Sequence, residues 1–232
     1  LAQLFSEAAL IKRRVEVEIY YLLFLAAEKL IPPFTQRQQR QLAKIMADFS
    51  PTEAALVKNY EAKTKHDVKA VEYYLRQQMR SLKIPGSEFL HLALTSEDIN
   101  SLAYALMLQT AQQQVLLPEL KKLLRQLSTM AAVNAKLPML ARTHGQAALP
   151  TTLGKELAVF AARLLSEIKL LEQVKIEAKL NGAVGNFNAQ QLAWPQADWP
   201  KLSQKFIQQF GLQPQLISTQ ILSAESYNHF FQ

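Results

Sequence analysis

From Lys155 to Leu180 the chain runs 26 residues without a proline or glycine. Leu153, just before that run, and Leu157, Phe160, Leu164, Ile168 and Leu171 within it recur at three- and four-residue steps. That period lays the apolar side chains along one stripe of an α-helix. A helix of that length spans roughly 39 Å. A second long segment starts at Thr95-Ser96-Glu97-Asp98 and continues to about Ala135, with Pro118 as its expected kink. Two such helices in sequence need partners along their whole length, which predicts a long bundle. Only 6 glycines occur in 232 residues, Ala, Leu, Gln, Lys and Glu are abundant, and no convincing strand run is visible. The expected fold class is therefore all-α.

Upstream the helices are shorter. Residues 3–30 carry apolar positions at helical spacing and stop before Pro32-Pro33, which cannot continue the helix. Ser50-Pro51-Thr52-Glu53 is a start signal: Ser50 caps free amides, Pro51 suits the first helical position and Glu53 closes a capping box. Another helix is expected from about Asp67 to Ser81, broken by Pro85-Gly86. The boundary falls near residues 85–94, giving an N-terminal helical domain (1–90) and an incomplete long-helix bundle domain (91–232). Pro195, Pro200 and Pro214 mark a looser C-terminal region.

Composition removes several function classes. Hydrophobic residues make up 49%, enough for a sizeable core. No run approaches the ~18 apolar residues of a membrane span, and the first residues lack the order of a signal peptide. Without cysteine there is no disulfide framework or thiolate nucleophile, and no metal site is expected. These features predict a soluble cytoplasmic protein with neither membrane nor nucleic acid as partner. The net charge of +7 is spread over helix faces, as in Lys12-Arg13-Arg14, Lys121-Lys122 and Arg125, and suits binding of phosphate or carboxylates.

Four segments carry candidate chemistry. In Leu140–Thr152, His144 stands beside Gly145, between a Pro-bounded helix end and the start of the long helix. An imidazole held there at a cleft rim, its tautomer fixed by Thr143 or Gln146, is a candidate general acid; the same residue also suits an ordinary helix-end cap. At His66-Asp67, an aspartate at a helix start satisfies free amides, and the histidine either points into a cleft or lies on the surface. Thr95-Ser96 precede a long helix whose first amides favour an anion. They serve equally as a cap, and Glu97 and Asp98 oppose an anion. The Asn181–Asn188 loop offers backbone amides through Gly182 and Gly185, or else Asn181-Gly182 is a helix C-cap. His91, among Phe89, Leu90 and Leu92, reads as structural, and His229 has no context that speaks for chemistry. Tyr73-Tyr74 and Phe230-Phe231 read as core or interface.

Arg142–Gln146 resembles the active-site histidine motif of the fumarase/aspartase superfamily. Thr64-Lys65-His66-Asp67-Val68, Thr95-Ser96-Glu97-Asp98-Ile99-Asn100 and Leu180-Asn181-Gly182-Ala183-Val184-Gly185 narrow the resemblance to its adenylosuccinate lyases. Ser218-Thr219-Gln220-Ile221 is similar to a substrate-contacting segment of the same family. The resemblance implies elimination of fumarate from adenylosuccinate, giving AMP, and from the succinyl-carboxamide ribotide of purine biosynthesis. It implies general acid–base chemistry without cofactor or metal, and a homotetramer whose sites are each built from three subunits. His144 would be the acid and His66 would act in both catalysis and binding. Lys65, Asp67, Thr143 and Gln220 would bind substrate, with Thr95 and Ser96 on its succinyl part. Lys65 stands where some members carry Asn or Arg.

The resemblance runs from Phe5 to Gln220 and members are about twice as long. Their phosphate-binding Asp-Gly-Arg-Tyr segment and their Gly-Ser-Ser-x-Met-Pro-x-Lys-x-Asn loop, which supplies the serine base, do not occur in these residues. Leu222–Ser226 also departs from the family's acidic-Pro pattern. The resemblance therefore implies half a lyase, with the acid but not the base, and no activity for the 232 residues alone. The alternatives are a non-catalytic helical assembly module and a related lyase acting on argininosuccinate or fumarate/malate.

Overall fold

The computed structural model describes residues 2–223 and 225–231. Its helices are α1 (Ala2–Phe5), α2 (Glu7–Ala27), α3 (Gln36–Ala47), α4 (Pro51–Thr64), α5 (Asp67–Ser81), α6 (Ser96–Ala111), α7 (Leu117–Val133), α8 (Leu153–Gln173), α9 (Asn188–Ala193), α10 (Trp199–Gln208) and α11 (Glu225–Phe231). A 3₁₀ turn covers Ser87–Phe89 and a π turn Gln112–Leu116. Four short strands complete the described residues: β1 (Pro138–Thr143), β2 (Gln146–Thr152), β3 (Glu177–Ala178) and β4 (Gln213–Pro214). The chain is mostly helical, as expected. No helix among the described residues is long and apolar enough to cross a membrane. The side chain of His229 lies outside the described residues.

Two compact units divide the chain. One holds the described residues up to Gln109 together with Lys175–Phe231, and the other holds Thr110–Val174. The division does not fall at the boundary expected near residues 85–94. Ile99, Leu102 and Ala105 of α6 are buried in the same apolar cluster as α2 and α10, so α6 belongs with the helices before it.

In the larger unit, α2 starts at Ser6, whose hydroxyl accepts the Ala9 N–H. It buries Ile11, Val15, Val17, Ile19, Tyr21, Leu22 and Leu25, a set that covers nearly the whole helix circumference. Phe206 of α10 packs against it, its ring 5.7 Å from Tyr21 and 5.1 Å from Phe24. The capping box at Ser50 and Glu53 forms as the sequence indicates, and α5 runs over Asp67–Ser81 as expected.

Three expectations are corrected. The helix predicted from Thr95 to about Ala135 is interrupted by the π turn, in which the Leu117 N–H donates to the Gln112 carbonyl. Pro118 has no N–H to offer the Gln114 carbonyl and its ring crowds that turn, so the distortion precedes the proline. The helix predicted to Leu180 stops at Gln173. Beyond it the apolar residues Ile176, Ala178 and Leu180 fall at every second position and are buried, with Lys179 between them buried as well, and Gln213 and Gln215 donate to the carbonyls of Ile176 and Ala178, both at 2.9 Å. That is a strand period, hidden in sequence because no glycine or proline marks the change. Finally, β1 and β2 form an antiparallel hairpin where no strand was expected. Its residues are exposed or half-buried throughout, so it carries no inside–outside alternation to read.

The smaller unit is a helical pair carrying that hairpin. Lys121 of α7 pairs with Glu172 of α8 at 2.6 Å. A Cβ on Gly154 would lie 2.4 Å from the Ala131 carbonyl oxygen, so only glycine allows this approach of α8 to α7. Asn134 accepts the N–H groups of Leu137 and Gly154, which pins the base of the hairpin.

His91 is structural, as its apolar neighbours suggest, but its partner is a buried carboxylate. Its Nδ1 lies 2.6 Å from Oε1 of Glu18, a side chain with no exposure. Burial alone would pull the His91 pKa down; the Glu18 charge and hydrogen bond outweigh it, and the net shift is upward. A raised histidine pKa stabilises the fold fully below about pH 6.5, the unfolded value, and the contribution is lost as pH rises through the folded value. The thermal midpoint should therefore fall between pH 6 and pH 9, and His91→Gln should flatten that slope. His91→Ala, which strands the Glu18 carboxylate, should cost about 3–5 kcal/mol in chemical denaturation at pH 6.

Candidate active site

α4 ends at Lys65, which adopts a left-handed conformation (φ 55°) and donates its N–H to Glu61. The Lys65 side chain is exposed. This reversal sets His66 in extended geometry as the N-cap of α5, with Nδ1 accepting the Lys69 N–H at 3.2 Å. An accepting Nδ1 leaves the proton of a neutral ring on Nε2, and Nε2 faces the Ser96 hydroxyl at 3.4 Å. Asp67 satisfies a free first-turn amide as expected, its Oδ1 accepting the Val68 N–H at 2.8 Å, and the histidine caps the helix beside it. Through Oδ2, Asp67 also binds Nη2 of Arg14 at 2.6 Å. Partial burial raises the Asp67 pKa, but Arg14 and the Val68 N–H prevail and it is lowered.

Arg14, expected on a solvated basic face, is buried and donates its Nε to Asn100 Oδ1 at 2.9 Å. It thereby ties the start of α5 to the first turns of α6. Its neighbours Lys12 and Arg13 gave no sequence signal for this, since only the 3.6-residue phase of α2 turns Arg14 inward.

At the start of α6, neither Thr95 nor Ser96 caps the helix through its hydroxyl, and the Thr95 hydroxyl has no partner among the described residues. Asp98, with no side-chain exposure, reaches back to the Thr95 N–H at 3.0 Å. It also takes Lys179 Nζ at 2.7 Å and the N–H groups of Asn181 and Gly182. Asn181 is not a helix cap. Its Nδ2 donates to the Ser218 hydroxyl at 2.8 Å and the Leu216 carbonyl at 3.2 Å. A Cβ on Gly185 would lie 2.0 Å from the Ser218 carbonyl oxygen, which is why a glycine with φ 79° stands there. Gln220 follows on this strip with its side chain exposed.

The larger unit thus brings together His66, Asp67, Thr95, Ser96, the Asn181–Gly185 loop and the segment leading to Gln220. Thr143 and His144 belong to the smaller unit. There Thr143 pairs with Gln146 across a two-residue turn of His144 (φ 52°) and Gly145 (φ 74°). Positive φ at both positions is the pattern of a type I′ hairpin. His144 therefore sits at a hairpin tip rather than a helix end, fully exposed, with no hydrogen bond among the described residues. Sequence reading missed Arg14 and Lys179 as parts of the site. A period-2 scan over Ile176–Leu180 places Lys179 with Glu177 on the polar face, so its burial had no signal in the sequence. Among the described residues, no three His, Asp or Glu side chains cluster as metal ligands.

A family model described as Lyase matches residues 3–231. The adenylosuccinate lyase of Haemophilus influenzae (strain ATCC 51907 / DSM 11121 / KW20 / Rd) is 43% identical over 236 residues, covering 100% of this chain and 52% of that protein. That of Escherichia coli (strain K12) is 44% identical over 228 residues, covering 95% and 50%. The chain spans about half the length of these curated relatives. A fumarate lyase from Mesorhizobium sp. BNC1 superposes with a TM-score of 0.74 at 20% identity, covering 93% of this chain and 48% of that one. The β-carboxy-cis,cis-muconate cycloisomerase of Acinetobacter calcoaceticus sp. ADP1 gives 0.74 at 21%, with 92% and 48% covered. At those identities the likeness shows the fold alone. With the family model matched over almost its whole length, the chain belongs to the lyase family.

Proposed function

We propose that the whole protein is an adenylosuccinate lyase, releasing fumarate from adenylosuccinate and from the succinyl-carboxamide ribotide of purine biosynthesis. The observation that carries this reading is the 43–44% identity to adenylosuccinate lyases over essentially the entire chain. In the elimination, a base takes a proton from the carbon beside a succinyl carboxylate and the C–N bond breaks. The electron pair goes to the departing nitrogen, which takes a proton from a general acid. His144 is that acid, held out on a short turn between two paired strands. Thr95 and Ser96 hold a succinyl carboxylate, since the first α6 amides and the unpaired Thr95 hydroxyl are available and His66 Nε2 lies beside Ser96. Lys65, Asp67, Thr143 and Gln220 complete the substrate contacts. No residue among these 232 is assigned as the base.

The whole protein is proposed to be a homotetramer with shared sites. Phe160 and Leu170 of α8 are each 58% exposed, Val133 of α7 is 79% and Leu149 of β2 is 77%. An apolar surface of that kind on a helical pair calls for helices from other subunits. Light scattering on the whole protein should give a tetramer, and a monomer would contradict the proposal.

The alternative is a non-catalytic helical assembly module. Reading the coding region beyond Gln232 separates the two. An intact Ser-Ser-x-Met-Pro-x-Lys loop there, with fumarate release by the whole protein, supports the enzyme; the isolated 232 residues should show no turnover. His144→Ala in the whole enzyme should lower kcat by about 10²–10⁴-fold, the usual range for a general acid. The thermal midpoint should barely move, since an exposed side chain fills no core volume. A lowered midpoint with normal turnover would make His144 structural.

A further inference from the structure

We propose that Asp98 is a positioning residue for the succinyl end of the site, and that it acts by locking the Thr95-Ser96 turn to the Asn181–Gly185 loop. The inference rests on the reading of Thr95 and Ser96 as succinyl contacts. One carboxylate gathers donors from two stretches more than eighty residues apart in sequence. Oδ1 takes Lys179 Nζ at 2.7 Å and the Asn181 N–H at 3.1 Å, while Oδ2 takes the Thr95 N–H at 3.0 Å and the Gly182 N–H at 3.2 Å. Asp98 and Lys179 have no side-chain exposure, so these bonds form away from water, where charge-assisted hydrogen bonds are strongest.

The arrangement goes beyond ordinary capping. A capping carboxylate satisfies first-turn amides of its own helix. The reach of Asp98 back to the Thr95 N–H is itself half of a capping box; what no capping box requires is that the same carboxylate also hold Lys179, Asn181 and Gly182. Lys179 is locked in turn, donating to the Gly182 carbonyl at 3.1 Å, while Ser101 bonds both its N–H and its carbonyl. Asn181 then carries the constraint to Ser218. The consequence is local neutrality. Lys179 compensates the Asp98 charge beneath the α6 N-terminus, which leaves the Thr95 hydroxyl and the Ser96 hydroxyl beside His66 Nε2 to meet a carboxylate.

The test compares the two products as inhibitors of the whole enzyme. In Asp98→Asn the Ki for fumarate should rise about tenfold or more, the scale of one charge-assisted hydrogen bond. The Ki for AMP should stay within about twofold, and KM for the succinyl substrate should rise more than kcat falls. Ile207→Ala, which opens a cavity in the same apolar core, supplies a destabilised control with both Ki values unchanged. Where Asp98→Asn does not fold, Asp98→Glu keeps the charge opposite Lys179 and gives the same comparison. Fumarate and AMP affinities that fall together, or not at all, would overturn the positioning role. A wild-type enzyme that releases no fumarate would instead overturn the underlying reading of the site.

Discussion

Helix α2 is buried on nearly every side, yet Arg14, Glu18 and Tyr21 lie on it at i, i+4 and i+7, one continuous stripe. A charge inside a protein costs several kcal/mol unless it is paired. Arg14 finds Asp67 and Asn100, Glu18 finds His91, and the Tyr21 hydroxyl donates to the Leu92 carbonyl at 3.2 Å. Apolar burial drives α2 inward but does not choose which neighbour it meets, because that attraction has no direction. The polar stripe does choose. It admits only an arrangement in which residues 66–67, 91–92 and 100 arrive beside α2 together, and these flank the candidate succinyl contacts.

The same contrast explains what could be read in advance. Helices with local signals were legible: the Ser50–Glu53 box, the Pro32-Pro33 stop and the Asp67–Ser81 span depend on neighbouring residues alone. The site motifs were also legible as motifs, because their residue types are unusual at those spacings. What stayed hidden was set by distant partners. The residues from Val174 to Leu180 have helical composition, but Ile176 and Ala178 bond to Gln213 and Gln215, nearly forty residues on. Asp67 keeps its local amide through one oxygen, but the other is claimed by Arg14, fifty-three positions away, which no local pattern announces. The hairpin escaped because an exposed two-stranded ribbon has no buried face to impose a pattern.

Electrostatics decide how the α6 N-terminus is to be understood. Two acidic residues in its first turn complement the helix dipole, each by about 0.3–1 kcal/mol, and would repel a ligand anion. Asp98 is neutralised by a buried ammonium at 2.7 Å, an interaction much stronger than any exposed pair. For Glu97, burial raises the pKa, only partly offset by Asn100 and Lys179. The repulsion expected from sequence is thus largely cancelled, while the hydroxyls, the free amides and the His66 ring remain. The balance favours an anion over a plain cap.

His144 poses the opposite problem, since nothing among the described residues surrounds it. A two-residue turn is the shortest link between antiparallel strands, and it fixes the backbone of the proposed proton donor with little freedom to lose on reaction. Positive φ strains most side chains, but histidine is among those that tolerate it, and Gly145 meets the second requirement without cost. A longer loop would present the imidazole too, at a greater entropic cost in the transition state. The turn orients the ring without enclosing it. In the proposed tetramer, the surfaces that cover the exposed Phe160 and Leu170 side chains would also be the ones to exclude water from the proposed acid, which would make subunit association part of the chemistry.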